Sequence, residues 1–121
     1  MRVLHIIARF NVGGTAAWIH ELTKNLSGVG IESQVATGEV GKSEFESQLL
    51  QELHYTYMKG LGNSVNPLQD LKAFWEIRNL IKSYNPDVVN THTAKAGLLG
   101  RLANFSLGKR RKPLVHTLHG H

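Results

Sequence analysis

Val3, Leu4, Ile6 and Ile7 make a short, almost continuous apolar run of the kind a strand shows when both its faces are covered in a parallel sheet. Asn11, Val12, Gly13 and Gly14 follow, then a helix-competent stretch with Thr15, Ala16, Ala17, Trp18, Ile19 and Leu22. This helix is predicted to end on a glycine cap at Gly28 or Gly30. Ile31 to Thr37 alternates as a second strand, and Gly38 to Lys42 reads as a loop. Ser43 to Glu46 has the S-x-x-E spacing of a capping box, with Phe45, Leu49, Leu50 and Leu53 marking one face of a second helix. Tyr55 to Met58 is a short third strand. Asn66, Pro67 and Gln69 take the N-cap, N1 and N3 places of a long helix whose Leu71, Phe74, Trp75, Arg78, Ile81 and Tyr84 recur every three or four residues. It stops at Asn85 and Pro86.

Asp87 to Asn90 forms a fourth strand that empties into Thr91, His92 and Thr93. Thr93 is placed to cap the next helix, in which Leu98, Leu102 and Phe105 are expected to face inward while Gly97 and Gly100 permit close packing on the sheet. Pro113 to Leu118 is the fifth strand. The alternation β-α-β-α-β-α-β-α-β implies an α/β, Rossmann-like, doubly wound parallel sheet in three layers, with strand order 3-2-1-4-5. In such sheets ligands sit above the carboxyl ends of the strands where the order reverses, here between strands 1 and 4. That crevice gathers Gly13, Gly14, Thr15, His92, Thr93, Lys95, His119 and His121.

The chain has 121 residues, room for one domain (1–121) with one core. It has no cysteine, which excludes disulfides and thiolate metal sites. No apolar run approaches the roughly 20 residues that span a bilayer, and Met1 leads into a strand pattern in place of a signal peptide, so a soluble cytoplasmic protein is expected. The net charge is +5, but Lys109, Arg110, Arg111 and Lys112 supply four of the positive charges and the rest of the chain is nearly balanced. An excess so local argues against a nucleic-acid-binding face. It fits a solvated loop, or attraction to phosphates and anionic lipid headgroups.

The glycine pair has two readings. It allows a tight strand-to-helix connection, and it also lets an anion approach the free N–H groups and positive dipole of a helix start. The turn is neither G-x-G-x-x-G nor a phosphate loop. His92, His119 and His121 lie just past strand ends, where they can act as acid, base or hydrogen-bond donor near neutral pH, ligate a metal, or cap the strand ends. No Asp or Glu accompanies them in the crevice, which disfavours a metal site and a two-carboxylate glycosidase. His5, His54 and His116 read as structural caps of strand ends, and His20 as a surface residue. Lys95 sits in the first turn of a helix, a place that disfavours a cation unless an anion compensates. No serine lies in a G-x-S-x-G turn.

Taken together, VLHIIARFNVGGT, PDVVNTHTAKAGLLGRLA and PLVHTLHGH resemble the amino-terminal domain of GT-B glycosyltransferases of family 4, over essentially the whole chain. The resemblance implies one half of a GT-B fold from a retaining, metal-independent enzyme. Such an enzyme moves a sugar from a UDP- or GDP-linked donor to a glycan or lipid-linked acceptor, commonly in bacterial cell-surface polysaccharide or glycolipid synthesis. It implies that Gly13, Gly14 and Thr15 admit the donor diphosphate, and that His119 contacts the transferring sugar as the catalytic histidine. His92, Thr93, Lys95 and His121 would line the cleft or acceptor side. The family's acidic and basic residues after the glycine pair are replaced here by Ala16, Ala17 and Trp18. Its second, nucleotide-binding domain is not in these residues, so the chain is expected to be a truncated form, a fragment or a split-enzyme subunit, inactive alone. No cofactor is expected. Lys109 to Lys112 would give peripheral contact at the inner face of the plasma membrane. The alternative is a non-catalytic flavodoxin-like or nucleotide-binding module.

Overall fold

A computed structural model describes residues 1–9, 14–38, 48–61 and 67–117. Five strands, β1 (Arg2–Arg9), β2 (Glu32–Gly38), β3 (Tyr55–Tyr57), β4 (Val88–His92) and β5 (Leu114–Thr117), form one sheet in the order β3-β2-β1-β4-β5. Every pairing is parallel. The strand order is the one the alternation implied. Three helices, α1 (Gly14–Gly28), α2 (Pro67–Tyr84) and α3 (Ala94–Phe105), and two short 3₁₀ turns, Gln48–Glu52 and Gly108–Arg110, connect them.

β1 is central, and its alternating side chains divide the core in two. Leu4, Ile6 and Ala8 pack with Ala73, Ile77 and Ile81 of α2 and with Ala96, Leu99 and Ala103 of α3. On the opposite face Ile7 meets Ala16 and Ile19 of α1, Val35 and Leu50. A right-handed crossover at each step requires this division, because the chain moves one way across the sheet from β1 to β3 and the other way from β4 to β5. α1 ends where the glycines predicted, with Gly30 at φ 83 and the Ile31 N–H donating back to the Leu26 carbonyl at 2.9 Å.

Several boundaries and faces differ from the sequence reading. The strand starting near Asp87 runs on through His92, so Thr91 and His92 are buried ladder residues of β4 instead of the loop beyond it. Of the second predicted helix only the 3₁₀ turn and Leu53 fall among the described residues; Ser43, Phe45 and Glu46 lie outside them, as does the Asn66 cap. α2 buries part of its expected face: Ile81 is buried and Phe74 and Tyr84 pack on the core, joined by Ala73 and Ile77, while Leu71 and Trp75 are 57% and 50% exposed. The cause is the chain leaving β3. A Cβ on Gly60 would stand 2.5 Å from the Ala73 nitrogen, so only a small helix residue and a glycine allow this approach. The Glu76 carboxylate fixes it by accepting the Gly60 and Lys59 N–H groups at 2.8 and 3.0 Å.

α3 departs further. Leu98, Leu102 and Phe105, expected inside, are 60%, 51% and 68% exposed. The buried side is Ala96, Gly97, Leu99, Gly100, Ala103 and Asn104. Gly97 and Gly100 set that choice, as their lack of a side chain lets the helix lie almost on the strands. A Cβ on Gly97 would be 2.7 Å from the His116 ring, and one on Gly100 2.7 Å from the Thr91 methyl. Asn104 then pins the approach to β5 through paired bonds with the Lys112 backbone, at 2.7 and 2.8 Å.

Candidate functional site

β1 and β4 are neighbours that part company at their carboxyl ends, one leading to α1 and the other to α3. Two contacts define the crevice between them. The Ala8 N–H, near the end of β1, donates to the Thr93 hydroxyl at 3.4 Å. Trp18, from the second turn of α1, sets its ring edge-on to that of His92, with centroids 5.8 Å apart. Packing therefore holds the start of α1 to the end of β4, and a hydrogen bond ties the end of β1 to the residue after β4.

Thr93 does not cap α3 with its side chain, contrary to the sequence reading. Its hydroxyl is turned to Ala8, and its carbonyl accepts the Gly97 N–H at 2.9 Å. Its backbone lies at φ 69 and ψ 155, a region that a β-branched residue enters only under strain. Strain of this kind clusters where a loop is shaped for a ligand.

His92 is fully buried, and its Nε2 lies 3.2 Å from the Nδ1 of His5. His5 occupies the middle of β1, in register with Asn90, so it caps no strand end. Burial lowers its pKa from 6.5 to about 4, and the ring is neutral at physiological pH. One of the two facing nitrogens donates and the other accepts. The spacing of His5 and His92 in sequence holds no hint of this pair; the parallel register of β1 and β4 creates it.

Lys95, in the first turn of α3, forms an ion pair with Asp70 of α2 at 3.1 Å. A carboxylate therefore does stand beside the crevice, where none was expected, and it comes from α2. Asp70 lies in the first turn of α2, so it compensates the cation and the helix dipole together. His116 is within β5 as expected, with its Nδ1 2.8 Å from the Thr91 hydroxyl. His54 is exposed at the start of β3, and His20 is largely covered beside Glu52 at 3.5 Å.

Thr15 is half-buried in the first turn of α1 and Gly14 opens that helix. Gly13, His119 and His121 lie outside the described residues. Among the described residues no three His, Asp or Glu side chains converge as a metal site. A cleft of about 580 Å³ lined by His20, Lys24, Ser33, Glu52 and His54 opens at the other, amino end of the sheet. No sequence signal pointed to it, and it is remote from Thr93 and His92.

The family model for Glycosyltransferase Family 4 matches residues 12–121. An Escherichia coli UDP-Gal:alpha-D-GlcNAc-diphosphoundecaprenol alpha-1,3-galactosyltransferase is 33% identical over 64 residues, 53% of this chain and 16% of that enzyme. In fold, the chain resembles the apo form of the lipopolysaccharide outer core galactosyltransferase WaaB, with TM-score 0.76 and 14% identity over 98% of this chain and 33% of the other. It also resembles a UDP-N-acetylglucosamine 2-epimerase, with TM-score 0.71 and 18% identity over 97% of this chain and 33% of that one. The chain spans about a third of the length of these structures.

Proposed function

Since the chain belongs to glycosyltransferase family 4, we propose that it forms the acceptor-side half of a retaining glycosyltransferase. The enzyme uses a nucleotide-sugar donor and a glycan or lipid-linked acceptor, in building bacterial cell-surface polysaccharide or glycolipid. The observation that carries this reading is the contact of Trp18 with His92, which sets the start of α1 beside the end of β4, together with the tie between Ala8 and Thr93. A diphosphate above that point meets the free N–H groups and positive end of α1 at Gly14 and Thr15. Residues 16 to 18, where the family has charged residues, instead supply Ala16 to the core and Trp18 to His92.

In the transfer the bond from the sugar C1 to the phosphate oxygen breaks, and the nucleoside diphosphate leaves with the electron pair. The acceptor oxygen bonds to C1 and passes its proton to the departing diphosphate. The α1 amides take up the charge that grows on the departing diphosphate, a role that needs no metal. His119 contacts the moving sugar, and Gly13 admits the diphosphate. His92, Thr93, Lys95 and His121 shape the acceptor side. Burial keeps His5 neutral beside His92.

A second, nucleotide-binding domain closes over this half, and reaction occurs between the two. The 121 residues alone accordingly bind UDP- or GDP-sugars weakly and turn over none. Titration calorimetry, followed by transfer assays with and without an added nucleotide-binding domain, tests this. Transfer that appears only with both halves supports the reading. Full turnover by the chain alone, or tight binding of a flavin in place of the nucleotide sugar, contradicts it.

A further inference from the structure

The cleft of about 580 Å³ at the amino end of the sheet is built by the end of α1, the first residues of β2, and the turn Gln48–Glu52 with the residues that lead from it into β3. Its floor holds an unmet polar group. Ser33 is 6% exposed and shares a face of β2 with Val35, which packs against α1, yet its hydroxyl has no hydrogen-bond partner among the described residues. A buried hydroxyl without a partner is costly, and where it lines a cavity a bound molecule can supply the missing bond.

The groups around Ser33 are rich in acceptors. Glu52 has a side chain 64% exposed and presents its carboxylate with His20 3.5 Å away, while Glu32 is steadied by Arg2 at 3.2 Å and by the Tyr84 hydroxyl at 3.0 Å. The Thr23 hydroxyl gives its proton to the Ile19 carbonyl at 2.6 Å and keeps only acceptor capacity for a ligand. α1 ends here with no basic residue in its last turn, so its negative end adds to this. Formal charge is nonetheless balanced, with Lys24 and Arg2 standing against Glu32 and Glu52. Ile31 and Leu53, both half-buried, supply an apolar wall. The ligand such a cleft suits is neutral, rich in donor hydroxyls and apolar over part of its surface, which are the properties of a sugar ring. The volume lies within the about 300–1,000 Å³ of small-molecule sites.

We propose that this cleft binds a neutral saccharide, with Ser33 and Glu52 as its hydrogen-bonding groups and Ile31 and Leu53 under the C–H face of the ring. This goes beyond the transfer reading and does not rest on it, because the cleft and the crevice open at opposite ends of the sheet. A nucleotide sugar is a poor occupant, since its diphosphate would meet two carboxylates and the negative end of α1. The two ends of one helix thus favour opposite chemistries, an anion at its start and hydroxyl donors at its finish.

The test is amide NMR of the 121-residue chain titrated with lactose, maltose and N,N′-diacetylchitobiose, with inorganic pyrophosphate and putrescine as anionic and cationic controls. The expected result is saturable shifts centred on Ser33, Leu53 and His54 with at least one disaccharide, and a weaker response there to either control. Ser33→Ala deletes the hydroxyl without breaking a bond of the free protein, so it should lower the affinity about fivefold and leave the urea midpoint no lower. Glu52→Gln, at an exposed position that tolerates the change, should lower the affinity by a similar factor. No saturable shift at these residues with any of the three disaccharides, an affinity that the two variants leave unchanged, or stronger binding of pyrophosphate or putrescine in the cleft would overturn the proposal.

Discussion

The residues at the head of the crevice are held in states that cost energy. His5 is neutral inside the sheet with a pKa lowered from 6.5 to about 4, so between those values the unfolded chain binds a proton that the folded chain refuses. Stability therefore falls as pH drops from 6.5 to 4, by about 3 kcal/mol over the interval for a shift of this size. Urea denaturation at steps of pH should show this loss in the wild type, and its absence in the difference between wild type and His5→Leu would contradict the burial of a neutral His5. Thr93 is the second such residue. Its φ of 69 suits glycine, so Thr93→Gly should be more stable than Thr93→Ala by about 1 kcal/mol, both lacking the Ala8 bond. Neither feature could be read from residue order. His5 and Thr93 look ordinary in sequence, and it is the register of β1 on β4 that makes one a buried partner of His92 and the other a strained link.

At the scale of the elements, periodicity located every strand and α1, α2 and α3, but it misjudged which side of α3 is buried and set Leu71 and Trp75 of α2 inside. Apolar spacing identifies a face only where large side chains do the packing. In α3 the contact is made by absent side chains, with Gly97 against His116 and Gly100 against Thr91, so the leucines are left outside. Gly97→Ala and Gly100→Ala should each destabilise the protein by about 1–3 kcal/mol despite the better helix propensity of alanine. Leu98→Ala, on the same helix, should change stability by less than about 0.5 kcal/mol. Equal costs for all three would mean that the helix is turned the other way. In α2 the same holds for Glu76, whose two backbone bonds to the segment after β3 predict a loss of about 1–3 kcal/mol for Glu76→Ala. Chemical denaturation checks it.

For the molecule as a whole, the order β3-β2-β1-β4-β5 puts the reversal of the sheet between β1 and β4. That much was legible in the alternation of strands and helices, because right-handed crossovers leave few other orders. The site itself was legible only in outline. His92, Thr93 and Lys95 do gather at the end of β4, but their partners His5, Trp18 and Asp70 come from three other elements and carry no motif. The central claim is that this reversal point receives the diphosphate of a nucleotide sugar. Amide NMR of the 121-residue chain titrated with a UDP-sugar, and in parallel with a GDP-sugar, tests it most directly. The account predicts that the largest shifts fall on Gly14, Thr15, His92 and Thr93. Shifts confined to Lys24, Ser33 and His54, at the cleft on the opposite end of the sheet, would contradict it.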